Sequence, residues 1–88
     1  MLQLTWTETG LEDLEWWHQH NSKMLKRIIR LCLETCKTPT QGIGKPEQLK
    51  LNLHGYWSRR IDDEHRLIYA FDESEVVVIQ CRHHYSDR

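Results

Sequence analysis

The sequence predicts an α+β fold of two layers, with an N-terminal strand and a two-helix hairpin packed on a mainly antiparallel, twisted β-sheet. Three observations carry that expectation. Two stretches in the first half place apolar residues at helical spacing. One segment near the middle holds both prolines, and short runs divided by polar turns fill the second half. The order is therefore β, α, α and then three or four strands.

Leu2-Gln3-Leu4-Thr5-Trp6-Thr7 alternates apolar and polar residues, as a half-buried strand does. Thr9 followed by Glu12 has the spacing of a capping box and would open a helix with Leu11, Leu14 and Trp17 along one stripe. His18-Gln19-His20-Asn21 breaks that pattern. Asn21 or Ser22 then caps a second helix whose stripe is Leu25, Ile28, Ile29, Cys32, Leu33 and Cys36. Thr38–Pro46 is rich in turn residues. Beyond it, Tyr56–Ile61, His65–Phe71 and Val76–Arg82 read as strands, joined by polar turns at Asp62–Glu64 and Asp72–Glu75. Turns that short imply an antiparallel meander.

One domain spanning residues 1–88 is expected from the length. With 39% hydrophobic and 28% charged residues, the composition fits neither a disordered nor a fibrous chain. The longest apolar run, Leu67–Phe71, is far short of a bilayer span. The N-terminus shows no secretory signal pattern, so a cytoplasmic protein without membrane attachment is expected. An odd count of three cysteines makes no disulfide framework. The net charge of −1 excludes a uniformly basic nucleic-acid binder. Charge is nonetheless uneven: Lys45, Lys50, Arg59 and Arg60 stand against Glu47 alone, which suggests an anionic partner meeting one face.

Three features could carry chemistry. Strand alternation turns Arg66 outward, and a three-residue turn at Asp62–Glu64 sets Arg60 opposite it. Like charges directly opposed are unfavourable unless an anion such as a phosphodiester sits between them. In Cys81-Arg82-His83-His84-Tyr85, alternation groups Arg82 with His84 on the Arg66 face, and an imidazole can act as acid or base near neutrality. Glu47, held among cations, stays ionised and can serve as a base. Taken singly, each has an ordinary reading: solvated arginines, an exposed tail, a loop glutamate. Cys32 and Cys36 read as core, and Cys81, His83 and His84 match no zinc spacing. Base, arginine and acid together are what metal-free RNA cleavage by 2′-OH attack requires, and no acidic cluster suits two metal ions.

The segments Gly44-Lys45-Pro46-Glu47-Gln48-Leu49-Lys50, Gly55-Tyr56-Trp57-Ser58-Arg59-Arg60-Ile61, Glu64-His65-Arg66-Leu67-Ile68-Tyr69 and Cys81-Arg82-His83-His84-Tyr85 closely resemble the YoeB/Txe toxins. These belong to the RelE/ParE superfamily of bacterial toxin–antitoxin systems. The resemblance implies an mRNA endoribonuclease that needs no cofactor, cuts in the ribosomal A site and leaves a 2′,3′-cyclic phosphate and a 5′-hydroxyl. It assigns Glu47 as general base, Arg66 as transition-state stabiliser and His84 as general acid. Tyr85 would position the RNA, with Lys50, Arg60 and His65 lining the same groove. The chain departs from the family pattern in its Ser86-Asp87-Arg88 tail and in the second histidine, His83, beside His84.

The implied partners are a Phd/YefM-type antitoxin, the ribosome with its mRNA, operator DNA through the antitoxin complex, and a second copy of the chain. The competing reading is a ParE-like non-catalytic toxin that inhibits a protein such as gyrase. Phosphate-neutralising candidates are Lys45, Lys50, Arg59, Arg60, Arg66 and Arg82, too few for strong binding to free RNA on a chain of this charge. Trp6, Trp17 and Trp57 read as core, so only Tyr85 remains as a base-stacking platform.

Overall fold

The computed structural model describes residues 1–50 and 55–84. It contains β1 (Gln3–Trp6), α1 (Glu8–His20), α2 (Ser22–Lys37), β2 (Glu47–Gln48), β3 (Trp57–Arg60), β4 (Arg66–Phe71) and β5 (Glu75–Gln80). The sheet order is β1-β5-β4-β3-β2. β1 runs parallel to β5, with Gln3 beside Glu75 and Trp6 beside Val78, and every other pair is antiparallel. The two-layer α+β expectation holds, with one parallel edge. No helix among the described residues is long and apolar enough to cross a membrane.

The first helix starts earlier than the capping-box spacing suggests. Thr7, in extended backbone, caps α1, and its hydroxyl oxygen accepts from the Gly10 N–H at 3.0 Å. The Thr7 N–H donates to the Val78 carbonyl at 3.0 Å, so β1 must end where the helix begins. Gly10 lets the helix come close to β5: a Cβ there would lie 2.9 Å from the Val78 carbonyl oxygen. Asn21 ends α1 and caps α2, accepting from the Met24 N–H at 3.1 Å.

The buried stripe of α2 is narrower than predicted and slightly rotated. Ile28, Leu31, Cys32, Thr35 and Cys36 are buried, while Ile29 and Leu33 are 44% and 46% exposed. Leu11 of α1 is 52% exposed as well. A helix laid on a flat sheet buries only about a third of its circumference, and Leu31 and Thr35 occupy the centre of that arc. Thr35 is tolerated because its hydroxyl donates to the Leu31 carbonyl at 2.7 Å. Facing these residues from the sheet are Leu67, Tyr69, Val76 and Val78, with Trp17, Ile61 and Cys81 completing the core.

The last predicted strand is too long, since β5 stops at Gln80. Within β4 and β5 the register skips a residue: Tyr69 pairs with Val78, but Ile68 pairs with Gln80. Ile79 is a β-bulge. Strict alternation would leave Gln80 on the helix side with Val78, whereas the bulge carries it to the opposite face.

Arg59 is fully buried. Its guanidinium donates to the carbonyls of Thr38 at 2.5 Å, Gln41 at 2.8 Å and Ile43 at 3.1 Å, and to the Tyr69 hydroxyl at 3.3 Å. The Tyr69 hydroxyl in turn donates to the Pro39 carbonyl at 2.6 Å. Burial pushes the Tyr69 phenol above its ordinary pKa, and Arg59 partly offsets this. Gly44, at φ +81, sits against this strut: a Cβ there would come within 3.0 Å of the Arg59 Cβ. The loop leading to β2 is therefore held from inside by one side chain.

Replacing Arg59 by Ala would leave three inward carbonyls without their donor, a cost of about 1–3 kcal/mol for each that stays buried and less for any that reaches water as the loop relaxes. The expected loss is about 3–5 kcal/mol, read as a lower urea midpoint, with Arg59→Lys recovering only part because one ammonium cannot span the same acceptors. An Arg59→Ala variant with a wild-type midpoint contradicts the strut. Burial also pushes the Cys32 thiol up to about 12 and raises Cys36 in the same direction. Cys32, Cys36 and Cys81 are all buried thiols. At pH 8 none should react with a thiol reagent until denaturant is added, and labelling of the native chain would count against this packing.

Candidate active site

The sheet face turned away from the helices brings together Glu47, Arg60 and Arg66. Register places Glu47 beside Ser58, Ser58 beside Ile68, and Ile68 beside Gln80, forming one row across four strands. In the next row Arg60 lies directly opposite Arg66, as the turn length predicts. Neighbouring strands are about 4.8 Å apart, so Glu47 and Gln80 stand about 14 Å apart at Cα, with the arginines beside the gap.

The turn between β3 and β4 sets this register. The Asp62 carboxylate accepts from the Glu64 and His65 N–H groups at 2.9 and 2.6 Å. Arg66 is half-buried, and its Nη1 donates to the carbonyls of Asp62 at 2.7 Å and His65 at 3.0 Å. Arg60 is exposed. Among the described residues neither arginine forms an ion pair with a carboxylate.

Glu47 and Lys50 are exposed at the other end of the row. Leu49, buried between them in sequence, anchors the segment while its N–H donates to the Tyr56 carbonyl at 2.8 Å. Lys45, at φ +51, is also exposed. Arg59 departs from its expected role, since it serves the loop from the core and offers nothing to a phosphate on the surface.

The tail does not continue as an alternating strand. His83 has φ +65, a left-handed kink. Arg82 goes to the helix side, with its guanidinium carbon 4.4 Å from the centre of the Trp16 ring and its Nε donating to His83 Nε2 at 3.0 Å. The grouping of Arg82 with His84 therefore fails, because the kink breaks the alternation on which it rested. The His84 backbone, not a continued strand, comes back toward the Glu47 face. The Gln80 side-chain amide donates to the carbonyl of Arg82 at 3.2 Å and, in a long contact of 3.5 Å, to that of His84. Gln80 is the residue that sequence reasoning missed. Only the bulge at Ile79 gives it this place, and no local signal announces the bulge. Tyr85 lies outside the described residues, as do Leu53 and the Ser86–Arg88 tail.

His65 is 9% exposed, which leaves little of it to line an open groove. Its Nδ1 accepts from the His83 N–H at 2.7 Å, and its Nε2 lies 3.6 Å from the Glu64 carboxylate. Glu64, His65 and His83 bring potential ligand atoms within 4.8 Å of one another. The backbone donor at Nδ1 keeps the ring hydrogen on Nε2, so neutral His65 has no lone pair to offer a cation. The cluster suits a hydrogen-bonded joint better than a metal centre.

Comparisons with known proteins agree with this architecture. Residues 6–85 match the family model described as a YoeB-like toxin of a bacterial type II toxin–antitoxin system. Toxin YoeB of Streptomyces coelicolor is 46% identical over 84 residues, 96% of this chain and 100% of that protein. Among solved structures, a YoeB/ParE toxin from Agrobacterium tumefaciens superposes with a TM-score of 0.91 at 43% identity, covering 96% of this chain and 100% of that one. A heterotetrameric YoeB–YefM toxin–antitoxin complex from Staphylococcus aureus gives a TM-score of 0.86 at 41% identity over 97% and 99% of the two chains.

Two opposed arginines cost stability when no anion lies between them. Arg60→Gln should therefore raise stability by about 0.2–1 kcal/mol at low salt, with the gain fading in about 1 M salt. The same variant should bind a 2′-O-methyl oligonucleotide more weakly than wild type. Lower stability at low salt would show that the two guanidiniums do not repel.

Proposed function

The chain belongs to the YoeB-like toxins of bacterial type II toxin–antitoxin systems, and we propose that it acts as a metal-free endoribonuclease on ribosome-bound mRNA. The observation that carries the reading is the Arg60–Arg66 pair, opposed across β3 and β4 on the face that also bears Glu47. A phosphodiester seated on that pair relieves the repulsion and lies between the carboxylate and the tail.

In this reading Glu47 removes the proton from the ribose 2′-OH, and the freed oxygen attacks the adjacent phosphorus. Arg66, fixed by two backbone carbonyls, presents its remaining N–H groups to the charge growing on the phosphorane oxygens. Arg60 and Lys50 hold the flanking backbone. His84 protonates the departing 5′-oxygen, and Tyr85 orients the base. The bond that forms is O2′–P and the bond that breaks is P–O5′, so the products are a 2′,3′-cyclic phosphate and a 5′-hydroxyl. Since every step is a proton transfer or a charge contact from a side chain, no cofactor enters.

Few exposed cations remain once Arg59 and Arg82 are withdrawn from the phosphate-binding set, which weakens any hold on free RNA. The ribosome then supplies both the docking surface and a bent mRNA held for in-line attack. Silencing would fall to a YefM-type antitoxin, by analogy with the complex described for the Staphylococcus aureus relative. An acidic segment folding over the cationic face is the simplest means, and the pair would also bind operator DNA. A non-catalytic inhibitor of a protein target has no need of a base and an arginine pair on one face.

On ribosomes programmed with an open A site, Glu47→Ala and His84→Ala should each lower cleavage about 10²–10⁴-fold, and Arg66→Ala about 10²–10³-fold, with the fold retained. The same transcript free in solution at physiological salt should be cut far more slowly. Wild-type cleavage by the Glu47 variant, or equal rates on and off the ribosome, would falsify this assignment.

A further inference from the structure

We propose that His65 is a positioning residue whose neutral imidazole sets the place of His84, through the backbone of His83, rather than touching RNA. The inference rests on the reading of His84 as the general acid.

The segment that carries His84 has left the sheet, since β5 ends at Gln80. Something else must hold it. The Cys81 carbonyl accepts from Trp17 Nε1 at 2.8 Å, and the Cys81 N–H donates to the Asp13 carboxylate at 3.0 Å, so α1 fixes the start of the segment. The next hold comes from β4. The His83 N–H donates to His65 Nδ1 at 2.7 Å, and the His83 carbonyl accepts from the Arg66 N–H at 3.1 Å. These two bonds hold both backbone polar groups of His83, the residue with the kink at φ +65, and His84 is the next residue. A left-handed residue other than glycine costs free energy and persists only where its surroundings dictate it.

The grip has a chemical requirement. A backbone N–H pointing at Nδ1 needs a lone pair there, which places the ring hydrogen on Nε2. The Glu64 carboxylate lies 3.6 Å from Nε2, too far for a hydrogen bond but close enough to favour a hydrogen on that side of the ring. The ring itself stands edge-on to Trp17, 4.8 Å between centroids at 84°, so it cannot swing away. Arg66 takes part in both halves of the arrangement: its side chain belongs to the proposed site and its backbone N–H to the clamp. One short stretch of β4 thus fixes the phosphate-binding group and the acid relative to each other.

Side-chain isosteres separate this role from general structural support. The Asn amide oxygen can occupy the position of Nδ1, whereas the Gln amide falls near Nε2. On programmed ribosomes, His65→Asn should keep kcat within about threefold of wild type. His65→Ala and His65→Gln should lose roughly 10–100-fold in kcat, with KM for the ribosome changed less than about twofold. A ¹⁵N spectrum of the full chain should show the His65 hydrogen on Nε2, and the His83 amide proton should move upfield in the Ala and Gln variants only. Wild-type kcat in His65→Ala, rescue by Gln rather than Asn, or a hydrogen on Nδ1 overturns the inference. If the Ala variant fails to fold, the Asn–Gln contrast and the wild-type spectrum still decide. The two possible failures look different. A wrong assignment of His84 shows as an active His84→Ala variant, and a wrong clamp as an active His65→Ala variant beside a dead His84→Ala.

Discussion

A single buried cation organises the loop on which the proposed site depends. Arg59 enters from β3, crosses the core side of the sheet and ends among the carbonyls of Thr38, Gln41 and Ile43. Those carbonyls face inward only because a guanidinium is there to receive them. With the loop drawn in, Gly44 packs against the Arg59 backbone side and its carbonyl accepts from the Arg60 N–H at 2.6 Å. Glu47 follows three residues later. Adjacent arginines on one strand thus divide their work, Arg59 inward as a strut and Arg60 outward into solvent, because successive side chains alternate across the sheet.

The two sheet faces differ in the same way. The helix-facing side is closed, and the polar groups it buries, Arg59 and Thr35 among them, are satisfied: among the described residues no buried side-chain nitrogen or oxygen lacks a partner. The other side keeps two opposed guanidiniums, neither of them ion-paired to a carboxylate of the described residues. That is an electrostatic cost carried on a stable platform, the distribution expected where a charged ligand must be held. The bulge at Ile79 links the faces by delivering the Gln80 amide under the tail.

Much of this was legible in the residues. Alternation and a short turn were enough to oppose Arg60 and Arg66, since hairpin register follows turn length. The two helices and the buried Cys32 and Cys36 followed from spacing, which also narrowed the cap of α2 to Asn21 or Ser22. What resisted reading was whatever depends on partners distant in sequence. Arginine is rarely buried, so nothing around Arg59 signalled that four acceptors would gather there. Ile29 and Leu33 are as apolar as their buried neighbours, and only the width of the sheet contact decides which are left in solvent. Arg82 was misplaced because the chain leaves the strand at Gln80 and a left-handed residue at His83 ends the period of two.

The parallel pairing of β1 with β5 has a kinetic consequence. The first strand to be synthesised waits for the last, because Gln3 pairs with Glu75 and Trp6 with Val78. Local hairpins among β3, β4 and β5 can form quickly, but closing β1 onto β5 spans nearly the whole chain and has to overcome a large loop entropy. Thr7, which caps α1 and bonds to β5 carbonyls, completes only at that moment. Chains cut short before residue 75 lack the central partner of β1, and with it both the sheet edge and the segment bearing His84. Assembly is therefore expected to be nearly all-or-none, since a chain ending before β5 has no strand on which to seat β1.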